Sequence, residues 1–171
     1  MQQLQIKNIR KIKKAIPKLE KKLKIRISIQ NSNITLKGEE VNIFLAKEIL
    51  EAVDFGFDID DALLLLKNDF CLEFINIKEH THRHNLKEVR SRVIGRKGKA
   101  MKTIEVLTGS VMVVHDNKVG LIVDSEHLET AVQGVISLIQ GSKHGNVFAY
   151  LERQNRGLRR VDEGDLGLRK E

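Results

Sequence analysis

Gly95-Arg96-Lys97-Gly98 sets two cations between two glycines, within the run Arg92-Val93-Ile94-Gly95-Arg96-Lys97-Gly98-Lys99-Ala100-Met101-Lys102-Thr103-Ile104-Glu105. Glycine lacks a Cβ, so another main chain can approach it closely and the turn can enter positive φ. The cations, with free N–H groups at the start of the next helix, suit a phosphate. That chemistry is anion recognition, not bond making. An NTP-binding P-loop is excluded. Ala100 follows Gly98-Lys99 where Ser or Thr is needed to hold Mg²⁺, and Val93 stands where the upstream glycine belongs.

Other reactive side chains fall into no catalytic pattern. His80, His82 and His84 alternate, and in a strand they would share a face; no Cys or carboxylate is placed to complete a metal shell, so they read as a polar strand end running into a loop. Asp58, Asp60 and Asp61 favour a helix N-terminus over a metal. Cys71 sits in an alternating strand and reads as inert. No Ser/His/Asp, Cys/His or paired-carboxylate arrangement is present. The expectation is a binding protein, not an enzyme, with no cofactor and no metal.

The 171 residues carry a net charge of +7, which favours polyanionic partners. The cations cluster: Lys7 to Arg26, then Lys87 to Lys102, then Arg153, Arg156, Arg159 and Arg160, with an acidic stretch from Glu39 to Glu73 between the first two. No apolar run approaches the ~20 residues that span a bilayer. The N-terminus has no signal-peptide core, and one cysteine rules out an internal disulfide framework. A soluble, cytoplasmic protein without membrane contact is expected.

Two similar halves position these residues. Ile9, Ile12, Ile16, Leu19 and Leu23 predict an amphipathic helix over 8–23, kinked or broken by Pro17. Ile25, Ile27 and Ile29 alternate with polar residues, and Asn31-Ser32-Asn33 turns the chain into Ile34-Thr35-Leu36, a hairpin. Val41, Phe44, Leu45, Glu48, Ile49 and Ala52 predict a second helix, closed near Gly56. A short first strand falls at Gln2 to Ile6. Asp58 caps a connecting helix containing Ala62, Leu63, Leu65 and Leu66. In the second half a strand at 70–77 and a helix from Leu86 to Ser91 precede the glycine loop. A helix from Lys99 to Leu107 follows, then the hairpin Val111–Val123, and a helix capped at Asp124-Ser125 and ended by Gly141. Asn146 to Arg160 continue as a helix, with a frayed tail after Gly157. The expected fold is α+β, built from two small domains. The boundaries are 1–56, a connecting helix over 57–69 through which the domains pack, 70–142, and a C-terminal helix and basic tail over 143–171.

Strand, helix, G-x-x-G, helix, hairpin, helix resembles the eukaryote-type (type I) KH domain, with Ile94-Gly95-Arg96-Lys97-Gly98-Lys99 at its centre. The segments Gly56–Leu63, Ile77-Lys78-Glu79 and Leu138–Val147 narrow the likeness. The chain resembles the archaeal two-KH-domain ribosome-assembly proteins related to the eukaryotic partner-of-Nob family. In that family the first KH domain lacks G-x-x-G. This chain agrees, since no glycine precedes Gly38 and the equivalent position, around Arg10 to Lys14, cannot form that loop.

The resemblance implies binding of single-stranded precursor small-subunit rRNA near its 3′ end, alongside a processing endonuclease. It also implies a link to the alpha subunit of translation initiation factor 2. In such a groove Gly95 and Gly98 let the RNA backbone pass, with Arg96 and Lys97 near phosphates. Arg92, Lys99 and Lys102 extend the positive strip, and Ile94, Ile104, Val111 and Val113 form an apolar floor or belong to the core. With aromatics at 4% and no Trp, stacking is a poor source of affinity. Two other functions stay open: a protein adaptor docking a nuclease or initiation-factor subunit through the first half, and a general RNA-binding regulator.

Overall fold

Alternating apolar residues at 25–36 and 111–123 fold as two antiparallel hairpins, each completed to a three-stranded sheet by a strand from earlier in the chain. The computed structural model describes the backbone of residues 2–165 and the side chains of residues 4–157. The chain divides into two units, Met1–Leu72 and Glu73–Glu171.

The first unit runs β1 (Gln2–Gln5), α1 (Ile9–Leu23), β2 (Arg26–Gln30), β3 (Asn33–Lys37), α2 (Glu40–Phe55) and α3 (Ile59–Ala62), then a 3-10 turn at Leu63–Leu66. Its sheet order is β1-β3-β2. Helix α1 buries Ile12, Ala15, Leu19 and Leu23 along one stripe. Pro17, expected to kink or break the helix, does not break it. Proline removes one N–H and crowds the preceding turn, yet the helix runs unbroken because apolar anchors on both sides of Pro17 hold it to the core. The Asp54 carboxylate of α2 accepts the N–H groups of Lys7 (2.8 Å) and Asn8 (2.6 Å) just ahead of α1.

In α2 the buried stripe is Ile43, Ala46, Ile49, Leu50 and Val53. Val41 and Phe44 lie off this stripe and are each 67% exposed. Ala62 and Leu65 are buried against the rest of the unit. Asp58 stands at the α3 N-cap, but its carboxylate faces Lys11 Nζ at 3.6 Å and makes no cap bond. Burial, with Asp58 and Asp60 beside it, holds the Asp61 carboxyl above its ordinary range.

β4 (Phe70–Asn76) leads into the second unit: α4 (Ile77–His80), α5 (Leu86–Ile94), a 3-10 turn (Arg96–Gly98), α6 (Lys99–Thr108), β5 (Val111–His115), β6 (Lys118–Asp124), α7 (Leu128–Gln140) and α8 (His144–Asp165). The sheet order is β4-β6-β5. The strand ends at Asn76, and His82 and His84 lie in a loop, as a polar strand end running into a loop implies. The Asn76 side chain accepts the Lys78 N–H and starts a helical turn, so His80, His82 and His84 share no strand face. Among the described residues no group of three His, Cys, Asp or Glu side chains could hold a metal. Helix α7 starts at Leu128, later than Asp124-Ser125 suggested. Asp124 Oδ1 instead accepts the His127 N–H at 2.9 Å and fixes a turn before the helix. Helix α8 continues past Gly157 to Asp165, where a tail was expected. The side chains of Arg159 and Arg160 and residues 166–171 lie outside the described residues. No described helix is long and apolar enough to cross a membrane.

The two units repeat at a constant separation of 85 residues from the main helix through the hairpin. Ala15 matches Ala100, Leu19 matches Ile104, and Ile34 matches Val119, all buried. Lys24 and Gly109 both end the helix in left-handed geometry, and Asn31 and Asp116 both turn the hairpin at positive φ. Glu20 Oε1 accepts the Ile27 N–H at 2.7 Å, as Glu105 Oε1 accepts the Met112 N–H at 2.8 Å. The match fails at one place. Residues 10–13 are continuous helix where residues 95–98 form a corner, and α5 has no counterpart in the first unit.

Candidate nucleic-acid interface

The corner at 95–98 follows from local geometry. Gly95 has φ 77° and ψ 172°, and its N–H donates to Ser91 O at 2.8 Å, ending α5. A Cβ on Gly95 would lie 2.5 Å from Ala100 Cβ and 2.7 Å from its backbone nitrogen, so glycine is required for α6 to approach α5. Gly98 has φ 75°, and a Cβ there would meet nothing within 4 Å; backbone conformation alone selects glycine. Between them Lys97 is also left-handed, at φ 53° and ψ 31°. Such a conformation costs a non-glycine residue about 1–2 kcal/mol. It holds the lysine out on the turn.

Arg96, Lys97, Lys99 and Lys102 are all exposed. The first three crowd the corner and the first turn of α6, and Lys102 lies one turn farther along. The four positive charges at the N-terminal end of a ten-residue helix make a strongly anion-attracting surface. Ile94 is half-buried at the end of α5. Val111 and Val113 are half-buried on β5, an edge strand that Glu105 ties to α6. The opposite flank of α6 forms an open groove of about 350 Å³ with α8, lined by Lys99, Lys102, Thr103, Val106, Leu107 and Glu152.

Two residues singled out by the sequence are placed elsewhere. Ile104 is 0% exposed and packs in the core, so it offers no surface to a base. Arg92 turns away from the corner: its Nη2 donates to the carbonyls of Gly141 and Ser142 at the end of α7. The Arg92 carbonyl accepts from His144 Nε2 at 2.9 Å, at the start of α8. Arg92 therefore fastens three helices together. Glu105 is the converse case, a residue that sequence reasoning passes over. Its signal is the spacing of seven residues from a helical glutamate to an apolar strand residue, which occurs in both halves, at Glu20 and Ile27 and at Glu105 and Met112.

Comparison with known proteins places this geometry. Residues 71–156 match the model for the second KH domain of the PNO1 proteins, a eukaryotic type KH-domain (KH-domain type I). A KH domain-containing protein of Methanocaldococcus jannaschii is 30% identical over 150 residues, covering 84% of this chain and 66% of that protein. A pre-rRNA-processing protein pno1 of Aspergillus oryzae is 28% identical over 141 residues, covering 77% of this chain and 54% of that one. The matched stretch thus spans between about half and two thirds of these relatives' length. A chain in the crystal structure of the a/eIF2alpha-aDim2p-rRNA complex from Pyrococcus horikoshii OT3 superposes with a TM-score of 0.81 at 28% identity, covering 91% of this chain and 94% of that one. The matched domain, the repeated sheet and the glycine corner together make this chain a member of the PNO1/Dim2 family of KH-domain proteins.

Proposed function

We propose that this chain binds single-stranded RNA along the corner at Gly95–Gly98 and the flank of α6 that faces β5, and that its RNA is precursor small-subunit rRNA near the 3′ end. The observation that carries the reading is the corner itself: two glycines at positive φ with Arg96 and Lys97 exposed between them. The main chain is open at Gly98, where a Cβ would meet nothing within 4 Å, so a sugar-phosphate backbone can run against it, with Arg96 and Lys97 beside its phosphates and Lys99 and Lys102, on the α8 flank of the same helix, adding to the positive field. Val111, Val113 and Ile94 supply apolar surface for bases. A KH groove takes about four nucleotides. Phosphate contacts give affinity and orientation without sequence information.

The chain acts by binding, not catalysis, and works with the endonuclease that cuts this rRNA. The first unit, built on α1 without a glycine corner, is a degenerate KH domain. A second reading, that the chain also adapts the RNA to an initiation-factor subunit, is favoured by the presence of a/eIF2alpha beside rRNA in the Pyrococcus complex.

Charge reversal at Arg96→Asp with Lys97→Asp tests the site. Both side chains are exposed and without an ion-pair partner among the described residues, so folding is retained. Affinity for single-stranded rRNA 3′-end fragments falls at least tenfold, and the slope of log K against log salt becomes shallower by about 1.4, two single-strand phosphates' worth. Unchanged affinity in the folded variant rejects the site.

A further inference from the structure

Helix α6 carries a second open surface, on the flank away from β5. Lys99, Lys102, Thr103 and Val106 recur at three- and four-residue spacing and form one stripe about two turns long. With Leu107, and with Glu152 of α8, they line the open groove of about 350 Å³ between the two helices. Val106 is 73% exposed, more than any other large apolar side chain among the described residues. A single exposed valine on a convex surface is ordinary; one that lines a groove between two helices is a seat for an apolar side chain. The Thr103 hydroxyl donates to the Lys99 carbonyl at 2.8 Å, so its proton is spent within α6. The floor is therefore mainly apolar.

The rim carries both signs of charge. Lys99 and Lys102 stand on the α6 side, and neither ammonium has a hydrogen-bond or ion-pair partner among the described residues. Glu152 stands on the α8 side, with only Arg156 Nη2 near its carboxylate, at 4.0 Å and on an exposed surface, where such a pair has little strength. A nucleic acid fits this rim poorly. Its phosphates bring one sign only and would face Glu152, and no aromatic ring lines the groove to stack a base. A polypeptide helix fits it well. Apolar residues at i, i+3 or i+4 and i+7 fill the floor, carboxylates along one edge meet the two lysines, and a cation along the other edge meets Glu152.

We infer that the groove between α6 and α8 docks an amphipathic helix of a protein partner, apolar along its ridge, acidic on the edge that meets Lys99 and Lys102, and basic on the edge that meets Glu152. The groove lies on the flank of α6 opposite the proposed RNA path, so the docked helix and the RNA sit side by side on one helix. Only that last consequence rests on the RNA reading; the groove and its occupant do not.

The test uses the full chain and a displayed library of peptides of about 16 residues, built on a helix-favouring framework and randomised among apolar, acidic, basic and neutral side chains. The expected selection is an apolar ridge with Asp or Glu along one edge and Lys or Arg along the other. Made as free peptides, the selected sequences bind the unsubstituted chain and lose at least about tenfold in affinity with Val106→Asp. Glu152→Lys weakens them about three- to fivefold, and peptides with that basic edge changed to Glu recover the loss. Val106 and Glu152 are both exposed, so the variants fold, and unchanged melting temperatures check this. Selected peptides that bind Val106→Asp as well as the unsubstituted chain overturn the inference, as do selected peptides without the two charged edges. Self-association of the chain in sedimentation, abolished by Val106→Asp, also overturns it and assigns the groove to a second copy. A loss of single-stranded RNA affinity with Val106→Asp as large as the peptide loss overturns it in favour of RNA. Failure of the RNA reading looks different: the unsubstituted chain then binds no RNA, while the peptide result stands.

Discussion

The Glu105 carboxylate holds the Met112 N–H at 2.8 Å and so ties α6 to the outer edge of β5. An edge strand presents unpaired N–H groups, and this one is satisfied by a side chain seven residues earlier. The floor of the proposed groove is thereby fixed relative to its cationic wall.

Glu105→Ala leaves the part-buried Met112 N–H without its acceptor and is expected to cost about 1–3 kcal/mol of stability. Glu105→Gln keeps an acceptor oxygen and is expected to lose less than half as much. Urea unfolding of the two variants checks the order. Hydrogen exchange at the Met112 amide, faster in the alanine variant alone, checks the cause.

The two corner glycines are predicted to respond unequally to alanine. Gly98→Ala meets open space and bears only the left-handed backbone cost, about 1 kcal/mol. Gly95→Ala adds a 2.5 Å collision with Ala100 on top of its φ of 77°, and at least about 2 kcal/mol in all is expected. Thermal or urea unfolding of the single variants reads the difference directly.

Arg92→Ala is expected to lower stability by about 1.5–3 kcal/mol, the range for hydrogen bonds to a charged group, while changing RNA affinity little. Its buried Nε has no partner among the described residues, which offsets part of the gain from Nη2 and favours the lower end. Parallel measurement of melting temperature and RNA affinity separates this fastening role from a phosphate contact.

Hairpins, the helix ends at Gly56, Gly109 and Gly141 and the glycine corner were legible because each depends on neighbours in sequence. Ile27 and Ile29 alternate with exposed residues, and Gly109 stops α6 on its own. The corner's two glycines and two cations carried the same information. What sequence could not separate was direction. Arg92 and Arg96 are both arginines four residues apart in a basic run, but only the three-dimensional course of α7 puts the Gly141 and Ser142 carbonyls within reach of the first. Ile104 and Ile94 are likewise equal in apolar character; packing of α6 on the sheet buries one fully and leaves the other partly open. Pro17 does not break α1 because its penalty is local, whereas the burial of Ile12, Ala15 and Leu19 that outweighs it is tertiary. The same burial explains the absence of a corner in the first unit. Ile12, 0% exposed, occupies the position that Lys97 holds in the second, and pins the helix where the other chain segment opens.

The two short bonds from Lys7 and Asn8 to Asp54 reach across 47 and 46 positions of the chain. Domains form as units during synthesis, from the N-terminus onward. A nascent peptide halted before residue 54 would have its opening strand, its long basic helix and the following hairpin, yet nothing to receive those amides. The first unit therefore becomes complete only after the far end of α2 clears the exit tunnel.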